Sequence, residues 1–222
     1  MKSAKIGRTV GILLLLHLIT GLMVPYMMLQ QLTRPLTFAE SNLANSFQVR
    51  LAVMLLFVGG AMTIAIAITG MPVFRKSSYA LALWLVALAI GNFSLQGAEN
   101  AATMSLFTFS QTYVDSGAAD IVGATVRSAW RWIHYTHLLV VVSWMFLLGV
   151  MLWRSALVPR VFAILLLITT LLQITGITLP QFLAYPSPNL MLMGMPLGFV
   201  YLALSVWLML KGFRTTEEVA TT

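Results

Sequence analysis

Two things are nearly missing from this sequence, cysteine and charge. It has no cysteine at all, which excludes disulfides, thiolate metal sites and a cysteine nucleophile. Its 222 residues include only 13 Lys and Arg and 6 Asp and Glu, while 59% are hydrophobic. Soluble domains are roughly 45–50% apolar, so a soluble protein of this length could not bury such an excess. The composition therefore predicts an integral membrane protein whose main partner is the lipid bilayer.

The motifs of several common enzyme classes are also absent from the sequence. It contains no Gly-x-Ser-x-Gly elbow, no His-Glu-x-x-His zinc motif, no Walker loop and no Gly-x-Gly-x-x-Gly fingerprint. These absences exclude ordinary hydrolases, ATPases and dehydrogenases. The net charge is +7, but no basic stripe with interleaved aromatics accompanies it, so we expect no nucleic-acid partner. No cofactor is clearly implied, and no catalytic residue is identified.

Six long apolar runs account for most of the chain. A helix that spans a bilayer needs ~20 mostly apolar residues, and the runs predict spans at about 9–29, 49–71, 79–100, 131–153, 161–179 and 190–210. We expect an all-α fold, a single domain over residues 1–222 built as a bundle of six transmembrane helices. The links 72–78, 101–130 and 180–189 are expected to lie between the helices, since two of them contain proline.

The positive charges are unevenly divided between the two sides of such a bundle. Under a six-span count, nine of the 13 Lys and Arg fall on the side that holds both termini and four on the other. Cytoplasmic loops carry the excess of positive charge, so both termini are predicted to be cytoplasmic. The expected location is the bacterial inner membrane, because the proteins of the outer membrane are β-barrels.

A stripe of polar side chains runs along the third span. Four residues at spacings of four, three and four share one helix face, namely Asn92, Gln96, Glu99 and Thr103. Polar groups near hydrocarbon are costly and usually face the bundle interior or a wet cavity. The fourth span carries a matching set, Arg127, Arg131, His134 and His137.

The two stripes reach similar depths in the membrane. With a rise of ~1.5 Å per residue, Glu99 and His134 both lie roughly 25–30 Å from the cytoplasmic boundary, at the outer mouth. If the two faces meet, Glu99 pairs with His134 or Arg131, and Gln96 lies near His137. The sequence therefore predicts an outward-opening polar cavity between the third and fourth spans. Its candidate ligand-binding residues are Arg50, Asn92, Gln96, Glu99, Arg131, His134 and His137.

Three functions stay open for this set of residues. The first hypothesis is a non-enzymatic protein that binds a small or lipophilic ligand in the cavity. The second is a membrane-embedded enzyme or redox protein that uses Glu99 as acid or base, with a metal or a quinone. Two imidazoles and one carboxylate, from His134, His137 and Glu99, are a weak match to a Zn²⁺ or Fe²⁺ site. The third is a structural or accessory subunit in which the stripe only packs helices together. The oligomeric state is left open.

A few other residues stand out within the apolar runs. His17 lies in the middle of the first span, where we expect a hydrogen-bonded packing residue. Gly7 and Gly11, four positions apart, allow another helix to approach closely, and so do Gly59 and Gly60 in the second span.

Three short segments resemble a known family. Residues 154–160 read R-S-A-L-V-P-R, Gly11 and Gly21 lie in the first helix, and residues 202–212 match the form L-A-L-x-x-W-L-x-x-K-G. These features are similar to the bacterial integral-membrane family catalogued as domain of unknown function 4386. The resemblance covers essentially the whole chain and implies six spans. The family has no known activity, so no catalytic residue can be carried over, although its third helix often has an acidic residue near Glu99.

Overall fold

The computed structural model describes residues 2–33, 45–112, 117–185 and 192–214, and these form helices joined by short links without any strand. The helices are α1 (Lys2–Met23), α2 (Gln30–Thr33), α3 (Ser46–Ser77), α4 (Tyr79–Thr112), α5 (Gly117–Ser155), α6 (Arg160–Phe182) and α7 (Met195–Lys211). A π-helical turn, Val24–Met28, extends α1. The predicted all-α fold is confirmed.

Six of the helical segments in the described residues are long and apolar enough to cross a membrane. They are Ser3–Met28, Ser46–Ser77, Tyr79–Gln111, Val122–Ser155, Arg160–Phe182 and Leu192–Lys211. These helices form a closed ring. From α3 to α7 each helix packs on the next, and α1 closes the ring by contacting both α3 and α7. The protein is therefore a multi-pass helical bundle, with the predicted third and fourth spans as α4 and α5.

The link predicted over residues 101–130 is mostly helical, so that prediction was wrong. Helix α4 continues 12 residues past Asn100 to Thr112, and α5 already begins at Gly117. Residues 101–112 contain neither glycine nor proline, so nothing interrupts the backbone hydrogen bonds where the apolar run stops. With α3, the bundle consequently has three helices of 32 to 39 residues, much longer than the hydrocarbon core of a bilayer, which is ~30 Å thick.

Two predicted proline links are also corrected. Helix α3 passes through Pro72 and ends at Ser77, so that Ser78 alone separates it from α4. The extended backbone of Ser78, with φ −162° and ψ 113°, makes the turn, and its hydroxyl accepts a hydrogen bond from the Leu81 N–H. Helix α6 includes Pro180 in its last turn, while Pro186 and Pro188 lie outside the described residues.

The outer surface of the ring is apolar, as a lipid-facing surface should be. Large hydrophobic side chains more than half exposed occur on most of the spanning helices, for example Met54, Trp84, Ile168, Phe199 and Leu210. The polar side chains that are buried face the interior of the bundle. Such an inverted distribution fits a bundle whose solvent is lipid.

The interior has three layers along the bundle axis. One apolar cluster lies towards the end where α1 begins and α7 ends, and it includes Ile66, Leu85 and Trp144. A second apolar cluster lies towards the far end and includes Leu56, Leu106 and Phe107. The buried polar residues of α4, from Asn92 to Thr103, lie between these clusters along that helix. The polar layer is thus bounded by apolar side chains on both sides.

Glycines bring α1 very close to α7, as the spacing of Gly7 and Gly11 predicts. A Cβ atom at Gly11 would lie 2.7 Å from the backbone nitrogen of Met209, and one at Gly7 would collide with the backbone of Phe213. At the same end, the backbone N–H of Arg214 donates to the carbonyl oxygen of Leu157 at 2.9 Å. The Ser3 hydroxyl donates to the carbonyl oxygen of Arg214 at 3.4 Å. The start of α1, the end of α7 and the link before α6 therefore meet at one end, here called the terminal end.

Candidate functional site

The carboxylate of Glu99 is held between two imidazoles in the interior of the bundle. Glu99 Oε1 lies 2.8 Å from Nδ1 of His134, and Oε2 lies 2.6 Å from Nδ1 of His137. Glu99 belongs to α4, whereas both histidines belong to α5 and lie three positions apart, on one face of that helix. The carboxylate residue is only 8% exposed. We call these three residues the Glu99 cluster.

A chain of hydrogen bonds leads from the Glu99 cluster towards the terminal end. Nε2 of His137 lies 2.9 Å from Oδ1 of Asn92. The Asn92 amide donates to the hydroxyl oxygen of Thr63 on α3 at 3.2 Å. The Thr63 hydroxyl donates to the carbonyl oxygen of Gly60 at 2.7 Å. Three helices are thus joined by one continuous polar network.

Trp130 covers the opposite side of the Glu99 cluster. Its ring is stacked on the ring of His134, with centroids 5.3 Å apart and planes 11° from parallel. Its indole N–H donates to the hydroxyl of Thr103 at 3.0 Å, and that hydroxyl donates to the Glu99 carbonyl oxygen at 2.8 Å. The side chain of His134 is 27% exposed, against 9% for His137. His134 is therefore the more accessible of the two imidazoles.

Two amide side chains of α4, those of Gln96 and Asn100, bind towards α3 and not towards the histidines. Gln96 donates through Nε2 to Oδ1 of Asn100 at 3.0 Å, and Asn100 donates to the carbonyl oxygen of Val53 at 3.1 Å. Gln96 was predicted to lie near His137, but the two side chains form no hydrogen bond, because His137 uses its nitrogens for Glu99 and Asn92. Gln96 instead packs against Gly60, whose missing side chain leaves room for it.

The predicted pair of Glu99 with His134 is confirmed, and the alternative pair with Arg131 does not form. Both ion pairs given by the described residues join Glu99 to a histidine. Arg131 and Arg50 are exposed, and Arg127 is half-buried. Helix α4 continues from Glu99 to Thr112, a further ~20 Å, while the predicted depth of Glu99 at the outer mouth of the membrane stays a prediction. The site lies within the bundle and not at the end of its helices.

The contacts within the Glu99 cluster have the distances of hydrogen bonds. Among the described residues, no group of three or more His, Asp or Glu is placed so that it could hold a metal ion. The Nδ1 atoms of His134 and His137 face the carboxylate oxygens of Glu99 at hydrogen-bond distances. Binding of a metal by these residues stays a prediction, and so does an outward-opening cavity beside them. A shallow hollow lined by Pro159, Trp207 and Lys211 lies at the terminal end.

A second, smaller polar group surrounds His17. Its Nδ1 lies 3.1 Å from the hydroxyl oxygen of Tyr201 on α7, which confirms that His17 is hydrogen-bonded. The ring of Trp144 on α5 meets the ring of His17 edge-on at 6.0 Å. The indole nitrogen of Trp144 is buried without a hydrogen-bond partner among the described residues.

The roles of Trp130, Thr63 and Tyr201 in these hydrogen-bond networks were not predicted from the sequence. An aromatic residue in an apolar run reads as lipid-facing or core packing, and nothing in the sequence distinguishes a ring that stacks on a histidine. The one available signal was the position of Trp130, four residues before His134 and thus on the same face of α5.

Comparison with known proteins identifies a family but no function. No curated protein matches the chain, and no solved structure matches it. One family model, described as a domain of unknown function, DUF4386, matches residues 9–212. That match covers five of the six helices that can span a membrane completely and the first from residue 9 onwards. The resemblance seen in the sequence is confirmed: the chain belongs to the DUF4386 family of proteins of unknown function.

Proposed function

We propose that the Glu99 cluster is a binding site for one small lipophilic molecule, whose polar head group is bound by His134. The observation that carries this proposal is the unequal use of the two imidazoles. His137 uses both ring nitrogens in hydrogen bonds. His134 uses Nδ1, and no described residue binds its Nε2. A partly exposed imidazole with one vacant nitrogen can accept a ligand without breaking the network behind it.

The surroundings of His134 suit a molecule that is mostly apolar. Trp130 is stacked on the imidazole, and Trp130 also packs against the apolar cluster of the far end. A flat or aliphatic body can lie along this apolar surface while its head group reaches the imidazole. Binding sites of this kind combine a largely hydrophobic lining with a few placed polar groups.

The cost of the network is an argument for a role beyond packing. An ionisable side chain inside a membrane is expensive, and such residues usually face interiors or cavities where they serve a function. Interhelical hydrogen bonds in membranes contribute only about 0.6–2 kcal/mol each. An apolar pair of similar volume would join α4 and α5 at a lower cost in desolvation. The Glu99 cluster is therefore an inefficient choice if it serves only to hold two helices together.

We further infer that both termini face the cytoplasm of a bacterium whose inner membrane holds the protein. Nine of the 13 Lys and Arg belong to the side of the termini under the six-span count, and this bias supports a cytoplasmic location. A ligand then reaches His134 from the lipid or from the outer side of the membrane.

The test uses two probes that share a butylphenyl body, 4-n-butylphenol and 4-n-butylacetophenone. Each is equilibrated with the protein in nanodiscs of phosphatidylethanolamine and phosphatidylglycerol, and with empty nanodiscs of the same lipids. We expect saturable binding of at least one probe at one molecule per protein, lost in His134→Ala. The matched control is Ser94→Ala, which removes an exposed hydroxyl from the same bundle. If neither probe binds above the empty nanodiscs, the proposal is wrong.

A further inference from the structure

The hydrogen bonds behind the Glu99 cluster have a fixed direction. The Thr63 hydroxyl has one hydrogen, and it is donated to the carbonyl oxygen of Gly60 at 2.7 Å. The oxygen of Thr63 can therefore only accept, so the Asn92 group 3.2 Å from it is the NH₂. This orientation leaves the carbonyl oxygen of Asn92 facing His137. Because an amide oxygen only accepts, Nε2 of His137 carries a hydrogen.

The direction of the two hydrogen bonds at Glu99 is fixed in the same way. With hydrogen on Nε2, His137 faces Glu99 either as a cation that donates from Nδ1 or as a neutral ring that accepts a proton from the carboxyl group. In both forms one proton lies between His137 and Oε2 of Glu99. In both forms Oε1 of Glu99 has no hydrogen to give, so it accepts one from Nδ1 of His134 at 2.8 Å.

The charge of the cluster then decides the state of His134. Glu99 is the one acidic residue in the six spanning segments of the described chain. Its charge is already balanced by the proton that it shares with His137. A second proton on His134 would leave a net positive charge in the interior, which is costly without a partner. The neutral state gives His134 a hydrogen on Nδ1 and a lone pair on Nε2.

We propose that the vacant Nε2 of His134 is a hydrogen-bond acceptor, so the ligand of this site is a lipophilic alcohol or phenol that donates its hydroxyl hydrogen. This inference rests on the proposed ligand site at His134. A ketone, an ether or a quinone offers only acceptor oxygens, and such an oxygen would meet the lone pair of Nε2 without a hydrogen between them. Thr63 thus decides whether the ligand donates or accepts the hydrogen bond at His134, although Thr63 does not touch the ligand.

The same two probes test this inference, with nuclear magnetic resonance as a second readout. The protein contains only three histidines, so selective ¹⁵N labelling gives few signals, which His17→Gln, His134→Gln and His137→Gln assign. Without a probe, we expect His134 to show hydrogen on Nδ1 and none on Nε2. Butylphenol should shift the Nε2 signal and bind roughly tenfold more tightly than butylacetophenone, as one hydrogen bond requires.

Thr63→Val tests the direction of the hydrogen bonds without changing a residue that contacts the ligand. Valine has nearly the shape of threonine but cannot accept from Asn92, so the amide is free to turn and donate to His137. The constraint that keeps Nε2 of His134 bare is then removed. We expect the preference for butylphenol over butylacetophenone to fall several-fold, with a new Nε2 hydrogen on His134. The same substitution at an exposed site of α6, Thr175→Val, should change neither the preference nor the tautomer.

Each outcome has a separate meaning. If Nε2 of His134 carries a hydrogen in the unliganded protein, the inference that the ligand is a hydrogen-bond donor is wrong, whichever probe binds. Equal binding of both probes overturns it too, while leaving a ligand site in place. If His134 has the expected tautomer but neither probe binds, the proposed function fails, and with it the assignment of a ligand class.

Discussion

Oε2 of Glu99 lies 2.6 Å from Nδ1 of His137, and this contact joins α4 to α5 in the interior of the bundle. The distance is that of a short, charge-assisted hydrogen bond. His137 is also bonded to Asn92, so its ring is fixed at both nitrogens. Glu99 thus has one firmly held imidazole partner and one, His134, that is more exposed.

The first prediction concerns the stability of this contact. His137→Leu removes two hydrogen bonds and leaves Glu99 with a single imidazole, and loss of one partner of a buried ion pair costs about 3–5 kcal/mol. We expect a large fall in the free energy of unfolding, measured in mixed micelles with a denaturing detergent. Glu99→Gln, which keeps a hydrogen-bonding side chain of the same length, should cost less, about 1–2 kcal/mol. Equal stability of His137→Leu and the unaltered protein would contradict the observed network.

The second prediction concerns the contact between α1 and α7. Gly11→Ala places a Cβ atom 2.7 Å from the backbone nitrogen of Met209. Overpacking of this kind costs about 1–3 kcal/mol, and the same measurement of unfolding should detect it. Gly21→Ala is the control, because a Cβ atom at Gly21 on the same helix meets nothing within 4 Å. Helix propensity favours alanine over glycine, so a loss of stability as large for Gly21→Ala would contradict the close contact as its cause.

The third prediction concerns Trp130. Trp130→Leu removes the ring stacked on His134, along which the phenyl body of the ligand is proposed to lie, and a contact between aromatic rings contributes about 0.5–1.5 kcal/mol. We expect the dissociation constant of butylphenol to rise by roughly two- to tenfold. Trp130→Phe keeps an aromatic ring and loses only the hydrogen bond to Thr103, so its effect should be smaller. Unchanged binding in Trp130→Leu would place the ligand elsewhere.

The fourth prediction concerns metal. The atoms that face Glu99 are at hydrogen-bond distances, and the proposed ligand binds through a hydroxyl hydrogen. We therefore expect dialysis against a strong chelator to leave butylphenol binding unchanged. Binding that disappears with the chelator and returns with Zn²⁺ or Fe²⁺ would favour the enzyme hypothesis. An absorption spectrum of the purified protein tests the redox version of that hypothesis.

The fifth prediction concerns orientation. A reporter that is active only in the cytoplasm should work when it is fused after Thr222, and a periplasmic reporter at the same place should not. The ends of α1 and α7 meet at the terminal end, so one fusion reports on both termini. Activity of the periplasmic reporter instead would reverse the orientation inferred from the positive charges.

Much of the site could be predicted because helices impose a simple geometry. The spacing of Asn92 and Glu99 places them on one face, and equal depth on antiparallel helices brings Glu99 to His134. The partner of Gln96 was not predictable in this way. Its side chain can reach either α3 or α5, and the space left by Gly60 on α3 decides between them. Spacing within one helix does not contain that information.

The extent of the helices was predicted less well than their number. An apolar run marks where lipid begins and ends, and the run in α4 stops near Glu99 and Asn100. A helix needs only continuous backbone hydrogen bonds, so α4 goes on for a further three turns. Pro72 and Pro180 led to the opposite error. Both were expected to lie in links, but Pro72 lies inside α3 and Pro180 lies inside α6.

The closure of the ring by α1 and α7 has a consequence for how the protein is made. A chain emerges from the ribosome from its first residue onwards, so α7, the partner of Gly7 and Gly11, is synthesised only after α3 to α6. During the intervening elongation, the glycine face of α1 has only lipid or an insertion factor to contact. The close junction of α1 and α7 therefore forms only after the helices between them have been synthesised, and a ribosome that stalls before residue 195 leaves an open ring in the membrane.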